Sequence, residues 1–168
     1  DLSSETYWGN PKTTQEMITE VKKAGFNTVR IPVSWGDHTF QSGDVRFKID
    51  EQWIARVKEV VDYCCNNKMF VILNIHHDTN KSYYYPTSSY KEQSETFVRE
   101  IWTQVATAFA DYDQHLIFET LNEPRLVGTD YEWWFDVNNI PASVKEAIEI
   151  INDLNQIAVD AIRDNGSD

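Results

Sequence analysis

The sequence predicts an α/β fold built on a parallel sheet, and three observations carry that prediction. Short apolar, β-branched runs alternate with stretches of helical periodicity. Their order is helix, strand, helix, strand, helix, strand, helix, so each connection between strands contains a helix, the crossover that parallel strands require. At 168 residues the chain can bury a core as one domain, and 41% hydrophobic against 25% charged residues is a globular balance.

Thr13 and Glu16 are spaced as a capping box ahead of Met17, Ile18, Val21 and Ala24, whose helical spacing runs until Gly25 stops it. Asn27 to Val33 reads as a strand, closed by Pro32 and Trp35. Trp35 to Ile49 is expected to be a polar loop around Gly36, His38, Ser42 and Gly43. Asp50 then caps a helix with Trp53, Ile54, Val57, Val60, Val61 and Cys64 on its apolar positions. Met69 to Ile75 is a buried, β-branched strand, followed by a tyrosine-rich loop from His76 to Ser88. Ser89 and Glu92 form a second capping box, for a helix carrying Phe97, Ile101, Trp102, Val105 and Phe109. His115 to Asn122 is the third strand. After a long loop holding Trp133, Trp134 and Phe135, Ser143 and Glu146 are expected to cap a last helix that ends at Gly166. No internal repeat or low-complexity linker interrupts the chain.

Composition narrows the function classes. Asp and Glu outnumber Lys and Arg by 27 to 15, a net charge of -12 that disfavours phosphate backbones and so argues against nucleic acid. No apolar run approaches the ~18 residues of a membrane span, and no charged-then-apolar signal segment opens the chain. A neutral ligand is indifferent to that charge, and 13% aromatic residues suits stacking on sugar rings or lipid-like surfaces, although aromatics more often serve a core. Cys64 and Cys65 are adjacent in a helix, where an ordinary disulfide would be strained, and read as small buried residues that leave the compartment open.

Splitting the strands by their period of two separates two faces. Val29, Ile31, Val71, Leu73, Ile75, Phe118 and Thr120 form one set, fit to pack on helices. Thr28, Arg30, Ile72, Asn74, His76, Glu119, Leu121 and Glu123 form the other, and it is markedly polar. Its polar residues grow denser toward the C-terminal ends of the strands, where ligands sit in open α/β sheets and in closed barrels. Arg30, His76 and Glu123 should therefore converge on one pocket, with Glu119 and Arg30 as a structural ion pair the bland alternative for part of the set. Within Leu121-Asn122-Glu123-Pro124, a carboxylate at a strand exit can trade a proton with a substrate, and the neighbouring amide can hold a hydroxyl. His76-His77-Asp78 has the composition of a metal site. Adjacent residues on an extended backbone point to opposite faces, however, which favours His76 hydrogen-bonded in the pocket and His77 on its rim. A Gly-rich phosphate loop and a Gly-x-Ser-x-Gly elbow are both missing from the sequence.

Four segments, Trp8-Gly9-Asn10-Pro11, Asn27 to Trp35, Val71 to His77 and Leu121-Asn122-Glu123-Pro124, together resemble glycoside hydrolase family 5, the endo-β-1,4-glucanases or cellulases. The resemblance runs over nearly the whole chain, in order. It implies a (β/α)8 TIM barrel, Glu123 as general acid/base, Asn122 as the partner of the sugar 2-hydroxyl, and Arg30 and His76 as residues that orient the nucleophile and the sugar. It implies substrate contacts by His77, His38 and Trp35, a sugar platform in Trp8, no metal or organic cofactor, a β-glucan or cello-oligosaccharide substrate, no membrane partner, and secretion.

Such barrels typically take ~250 residues. Residues 1–168 are therefore expected to be a single partial catalytic domain, about a half-barrel holding strands two to four, with the family's nucleophilic Glu outside it. Glu119 lies four residues before Glu123, ~13 Å along a strand and too far for a retaining pair. A half-barrel leaves sheet edges and an inner face bare, so homo-oligomerisation through those edges, or pairing with a C-terminal half-barrel, is expected. Tyr83-Tyr84-Tyr85 and Trp133-Trp134 border the predicted groove, where walls for glucosyl rings and packing of the loops on themselves are both open. The alternatives to a hydrolase are an inactive carbohydrate-binding half-barrel and a self-associating fragment.

Overall fold

In chain order the computed structural model, which describes residues 3–166, runs α1 (Gln15–Lys23), β1 (Thr28–Ile31), β2 (Thr39–Ser42), β3 (Val45–Ile49), α2 (Glu51–Asn66), β4 (Phe70–Asn74), α3 (Lys91–Ala108), β5 (Leu116–Glu119) and α4 (Ala142–Asn165). The three predicted strands form one parallel sheet in the order β1, β4, β5, with Val29 opposite Val71 and Leu73 opposite Phe118. The hydrogen bonding continues past the strands, from the Asn122 amide to the Ile75 carbonyl (2.9 Å) and from the His76 amide to that of Val33 (2.8 Å). None of the helices described is long and apolar enough to cross a membrane.

One face of the sheet carries the fold. Val71, Leu73 and Ile75 are fully buried against Val57, Val61 and Cys64 of α2, Phe97, Ile101, Trp102 and Val105 of α3, and Leu154 and Ala158 of α4. Each such large apolar side chain contributes about 1.5–3 kcal/mol by leaving water. Cys64 belongs to this core as a free thiol, pushed up to about 12 by its burial. The opposite face is open: Phe70 and Ile117 keep 38% and 45% of their surface in solvent, and Arg30 on β1 is exposed as well.

Three helix ends follow the sequence. Asp50 accepts hydrogen bonds from the Gln52 and Trp53 amides (2.8 and 3.0 Å), Gly25, at φ +98°, takes the left-handed turn after α1, and Gly166 closes α4. Three predicted caps are replaced. Thr14, not Thr13, caps α1 by accepting from the Met17 amide (3.3 Å), because Thr13 is tied to the N-terminal segment by the hydrogen bond its backbone N–H donates to Glu5 Oε1 (2.7 Å). At α3 a short 3-10 turn, Ser88–Tyr90, leads into the helix in place of the Ser89 and Glu92 box. At α4 the entry residue is Pro141, and Glu146 reaches across to the Ser88 amide (2.8 Å), joining the starts of two helices instead of closing its own.

Two further expectations change. The stretch from Trp35 to Ile49 is not simply a loop: β2 and β3 form an antiparallel hairpin within it, turning at Gly43 (φ +58°). Phe47 and Ile49 are buried, and Glu100 and Gln104 of α3 accept from their amides at 2.7 and 3.0 Å. β5 also stops at Glu119, before the predicted Asn122, and the alternation breaks beyond Thr120. Leu121 therefore drops into the core, and Asn122 takes its place on the polar side.

Candidate active site

The C-terminal ends of the three parallel strands bring together a connected polar cluster. Arg30 of β1 grips Glu119 of β5 with two nitrogens, Nε to Oε2 at 2.7 Å and Nη2 to Oε1 at 2.5 Å, and Nη2 also donates to Asn122 Oδ1 at 2.8 Å. This paired contact holds the Glu119 carboxyl below the usual carboxylate range, against the opposing effect of its partial burial.

Asn74 at the end of β4 sets the rest. Its Oδ1 accepts from the Val33 amide (3.2 Å), which fixes the side-chain amide so that Nδ2 donates to Glu119 (3.3 Å) and faces His76 Nδ1 (3.1 Å). A ring nitrogen that faces an N–H donor must be the acceptor, so His76 carries its proton on Nε2. Burial, with His77 and Arg30 nearby, lowers His76 to about 4 and keeps it neutral near pH 7.

Glu123 stands at the edge of this cluster on a left-handed backbone (φ +44°), a conformation that costs a non-glycine residue roughly 1–3 kcal/mol and calls for local restraint. Arg125 supplies it, with Nη1 donating to the Glu123 carbonyl (3.2 Å) and carboxylate (3.3 Å). The carboxylate remains mostly in solvent. Tyr84, fully buried, donates to the Asn122 carbonyl from below at 3.4 Å.

The remaining predicted residues divide. His77 lies on the rim, its amide bonded to Ser34 Oγ (3.2 Å), its ring 4.3 Å from that of His76 and 6.3 Å, edge-on, from that of the exposed Trp8. Trp35 is 0% exposed: its indole donates to the Asn74 carbonyl (3.0 Å), so it supports the cluster from behind and presents no face to a ligand. His38 stacks on Trp53 of α2 at 3.5 Å, which draws its ring into the helix layer and away from the loop-contact role expected of it. The tyrosine run is packing. Tyr84 and Tyr85 are buried, and the Tyr83 ring lies so close over Gly36 that a Cβ there would meet it at 2.3 Å.

Asp78 resolves the histidine-rich motif. Its two carboxylate oxygens accept from the Trp35 and Gly36 amides, both at 2.9 Å, and its complete burial raises it to about 7. It staples the turn after β1 to the loop after β4 and faces away from the histidines. Among the described residues no group of three or more His, Cys, Asp or Glu is arranged to hold a metal ion. Asn74, Asp78 and Arg125 are the site residues that sequence reasoning passed over. Asn74 had a signal, since it shares the polar strand face with His76, whereas Asp78 and Arg125 act through loop geometry that no periodicity reveals.

Residues 2–168 match the family described as cellulase, glycosyl hydrolase family 5. Endoglucanase A of Clostridium longisporum is 46% identical over 98% of this chain and 29% of its own length. Endoglucanase A of Ruminococcus albus is 42% identical over 98% of this chain and 42% of its own. A mutant lichenase of Caldicellulosiruptor sp. F32, solved with cellotetraose, superposes with a TM-score of 0.90 at 53% identity, covering 97% of this chain and 42% of that one. A xyloglucan-specific endo-β-1,4-glucanase from a metagenomic library, solved with cellotriose, gives 0.83 at 40% identity over 99% of this chain and 46% of that one. The chain spans less than half the length of each of these relatives. Its parallel sheet and flanking helices are correspondingly part of a TIM barrel, a half-barrel, and the chain belongs to glycosyl hydrolase family 5.

Proposed function

We propose that this chain is the acid/base-bearing part of a retaining endo-β-1,4-glucanase. The observation that carries this reading is the Arg30, Glu119, Asn74, His76 and Asn122 network at the C-terminal strand ends, with Glu123 restrained beside it. Glu123 protonates the glycosidic oxygen and then, as the base, activates the water that releases the sugar. Asn122 has its Oδ1 occupied by Arg30, so its amide nitrogen is the group left to donate to a sugar hydroxyl. His76, neutral and protonated on Nε2, donates without adding charge, and Arg30 offers its guanidinium to a second carboxylate and to the sugar. His77 and Trp8 contact the ligand at the rim.

A retaining mechanism takes a second carboxylate about 5 Å away as the nucleophile. Glu119 is held at both oxygens by Arg30 and is therefore a poor attacker. The nucleophile is expected from outside residues 1–168, either from the portion of the family barrel that this chain does not span or from a second copy. The bare inner face and the unpaired edges of β1 and β5 favour such association, because exposed edges template pairing. The substrate class is a β-1,4-linked glucan of cellulose type, in keeping with the endoglucanase and lichenase names of the relatives. Secretion is the setting that a polymeric substrate demands.

Reducing-sugar release from a soluble cellulose derivative, with wild type and Glu123→Gln side by side, tests the reading. Loss of release in the variant supports it, and equal release from both removes Glu123 from the mechanism. The engagement of Glu119 favours a second reading, a carbohydrate-binding half-barrel without turnover. Cello-oligosaccharide binding by calorimetry with no product after long incubation would support that one instead.

A further inference from the structure

We infer that Arg56 of α2 is a positioning residue for the ligand rim: by tying both feet of the loop 5–13 it sets where Trp8 stands beside His77. This rests on the glycan reading above and deepens it. Arg56 donates from Nε and Nη2 to the two oxygens of Glu5 (2.9 and 2.8 Å), and Nη2 also reaches the Thr13 carbonyl (2.7 Å). The Thr13 amide in turn donates to Glu5 Oε1 (2.7 Å), so two points eight residues apart meet at one guanidinium. A loop of this length with joined ends has the form of an Ω-loop. Around Trp8 the backbone turns tightly: the Tyr7 amide bonds to the Ser4 carbonyl (3.2 Å) and the Gly9 amide to that of Thr6 (2.9 Å), with Gly9 left-handed at φ +81°.

Apolar support for this loop is slight. Tyr7 and Trp8 are 55% and 61% exposed, and neither joins the hydrophobic core. A cavity of about 350 Å3 lies between the loop, β1 and α2, where Trp8, Thr13, Val29, Trp53 and Val57 are among its walls. The clamp, by contrast, is preorganised. Arg56 Nη1 is held by Glu59 (2.7 Å) and the Tyr63 hydroxyl (3.4 Å), one and two turns further along α2. The Arg56 and Glu5 side chains are only 15% and 23% exposed, so water competes weakly for the pair. Against its partial burial, the Arg56 bonds and the Thr13 amide hold the Glu5 carboxyl down to about 2, and the tie stays charged in mildly acidic medium. A guanidinium makes these contacts at fixed angles, which a lysine ammonium does not reproduce. A loop fixed before the ligand arrives loses less entropy on binding than a mobile one.

Two measurements on the full chain test the assignment: amide hydrogen exchange in wild type, Arg56→Met and Glu5→Ala, and calorimetric titration of cellotetraose into the same variants with and without Trp8→Ala. Both clamp variants are expected to speed exchange at the Gly9 and Thr13 amides about tenfold, with the Val71 and Leu73 amides unchanged. Glu5→Ala leaves α2 intact and carries the test where Arg56→Met fails to fold. Each should weaken cellotetraose binding about tenfold, yet add almost nothing to the loss in Trp8→Ala, a non-additivity that a general loss of stability does not produce. Wild-type exchange at Gly9 and Thr13 overturns the clamp whatever the ligand does. Faster exchange with unchanged affinity, or the same loss with and without Trp8, overturns its part in recognition. Absence of binding by the wild-type chain overturns the glycan reading and that part with it, while the exchange result still decides the clamp.

Discussion

The two faces of the parallel sheet are made by the same strands and do opposite work. On one, Val71, Leu73 and Ile75 are sealed under α2, α3 and α4; on the other, Arg30, Asn74 and Glu119 meet in a partly solvated network on the C-terminal side of the exposed Phe70 and Ile117. Stability should therefore be concentrated on the covered face and ligand recognition on the open one, although the residues alternate along single strands. A substitution on one face should leave the other property nearly untouched, and that separation can be broken experimentally.

The largest effect on folding is expected from Leu73→Ala, which removes fully buried volume and should lower stability by about 2–5 kcal/mol in urea unfolding. The folded fraction should still bind cellotetraose as wild type does. Arg30→Met should reverse the pattern. Its pair with Glu119 is about a third exposed, so the stability change should stay within about 1 kcal/mol, while sugar binding should fall about tenfold as Glu119 and Asn122 lose their common partner. Comparable unfolding losses in both variants would dissolve the division between the faces.

A smaller effect separates two groups near the open face by the sign of their pH dependence. His76 is depressed from 6.5 to about 4, so the stability it contributes is present above 6.5 and lost as pH falls toward 4. Asp78 is raised from 3.8 to about 7, so its contribution is greatest below 3.8 and is lost as pH rises through 7. Between pH 4 and 6.5 the two slopes oppose each other. His76→Gln should leave stability that declines with rising pH over this range, and Asp78→Asn should leave the reverse, in parallel urea melts. Identical slopes in the two variants would show that these groups do not govern the pH response. The smallest effect is on association: Ile117→Lys on the open face should reduce any concentration-dependent increase in mass seen by light scattering, with no change in the unfolding midpoint of the monomer.

How far the site could be read in advance depended on how local its determinants are. Arg30, His76, Glu123 and Asn122 were legible because a period of two and the direction of a parallel sheet bring strand ends to one side. Trp35 misled, since a tryptophan just past a strand end suits a ligand wall and a core equally well until its indole finds the Asn74 carbonyl. The hairpin at 39–49 was hidden by its polar residues, although Val45, Phe47 and Ile49 alternate. Two of the three displaced caps share one cause. Hydrogen-bonding groups in the first turns were claimed by distant partners, as Thr13 was by Glu5 and Glu146 by Ser88.

By itself the sequence determined the element order, the parallel sheet and the residues that would crowd its C-terminal end, because those follow from periodicities spanning a few residues. The tertiary structure decided what the crowd does. Arg30 and Glu119 meet across 89 positions, the Val33 amide turns Asn74 and with it the His76 tautomer, and Arg125 restrains Glu123 on a backbone conformation that no local preference would choose. Each of these depends on bringing together groups from different strands and loops, and that juxtaposition exists only once the hydrophobic face has closed the chain upon itself.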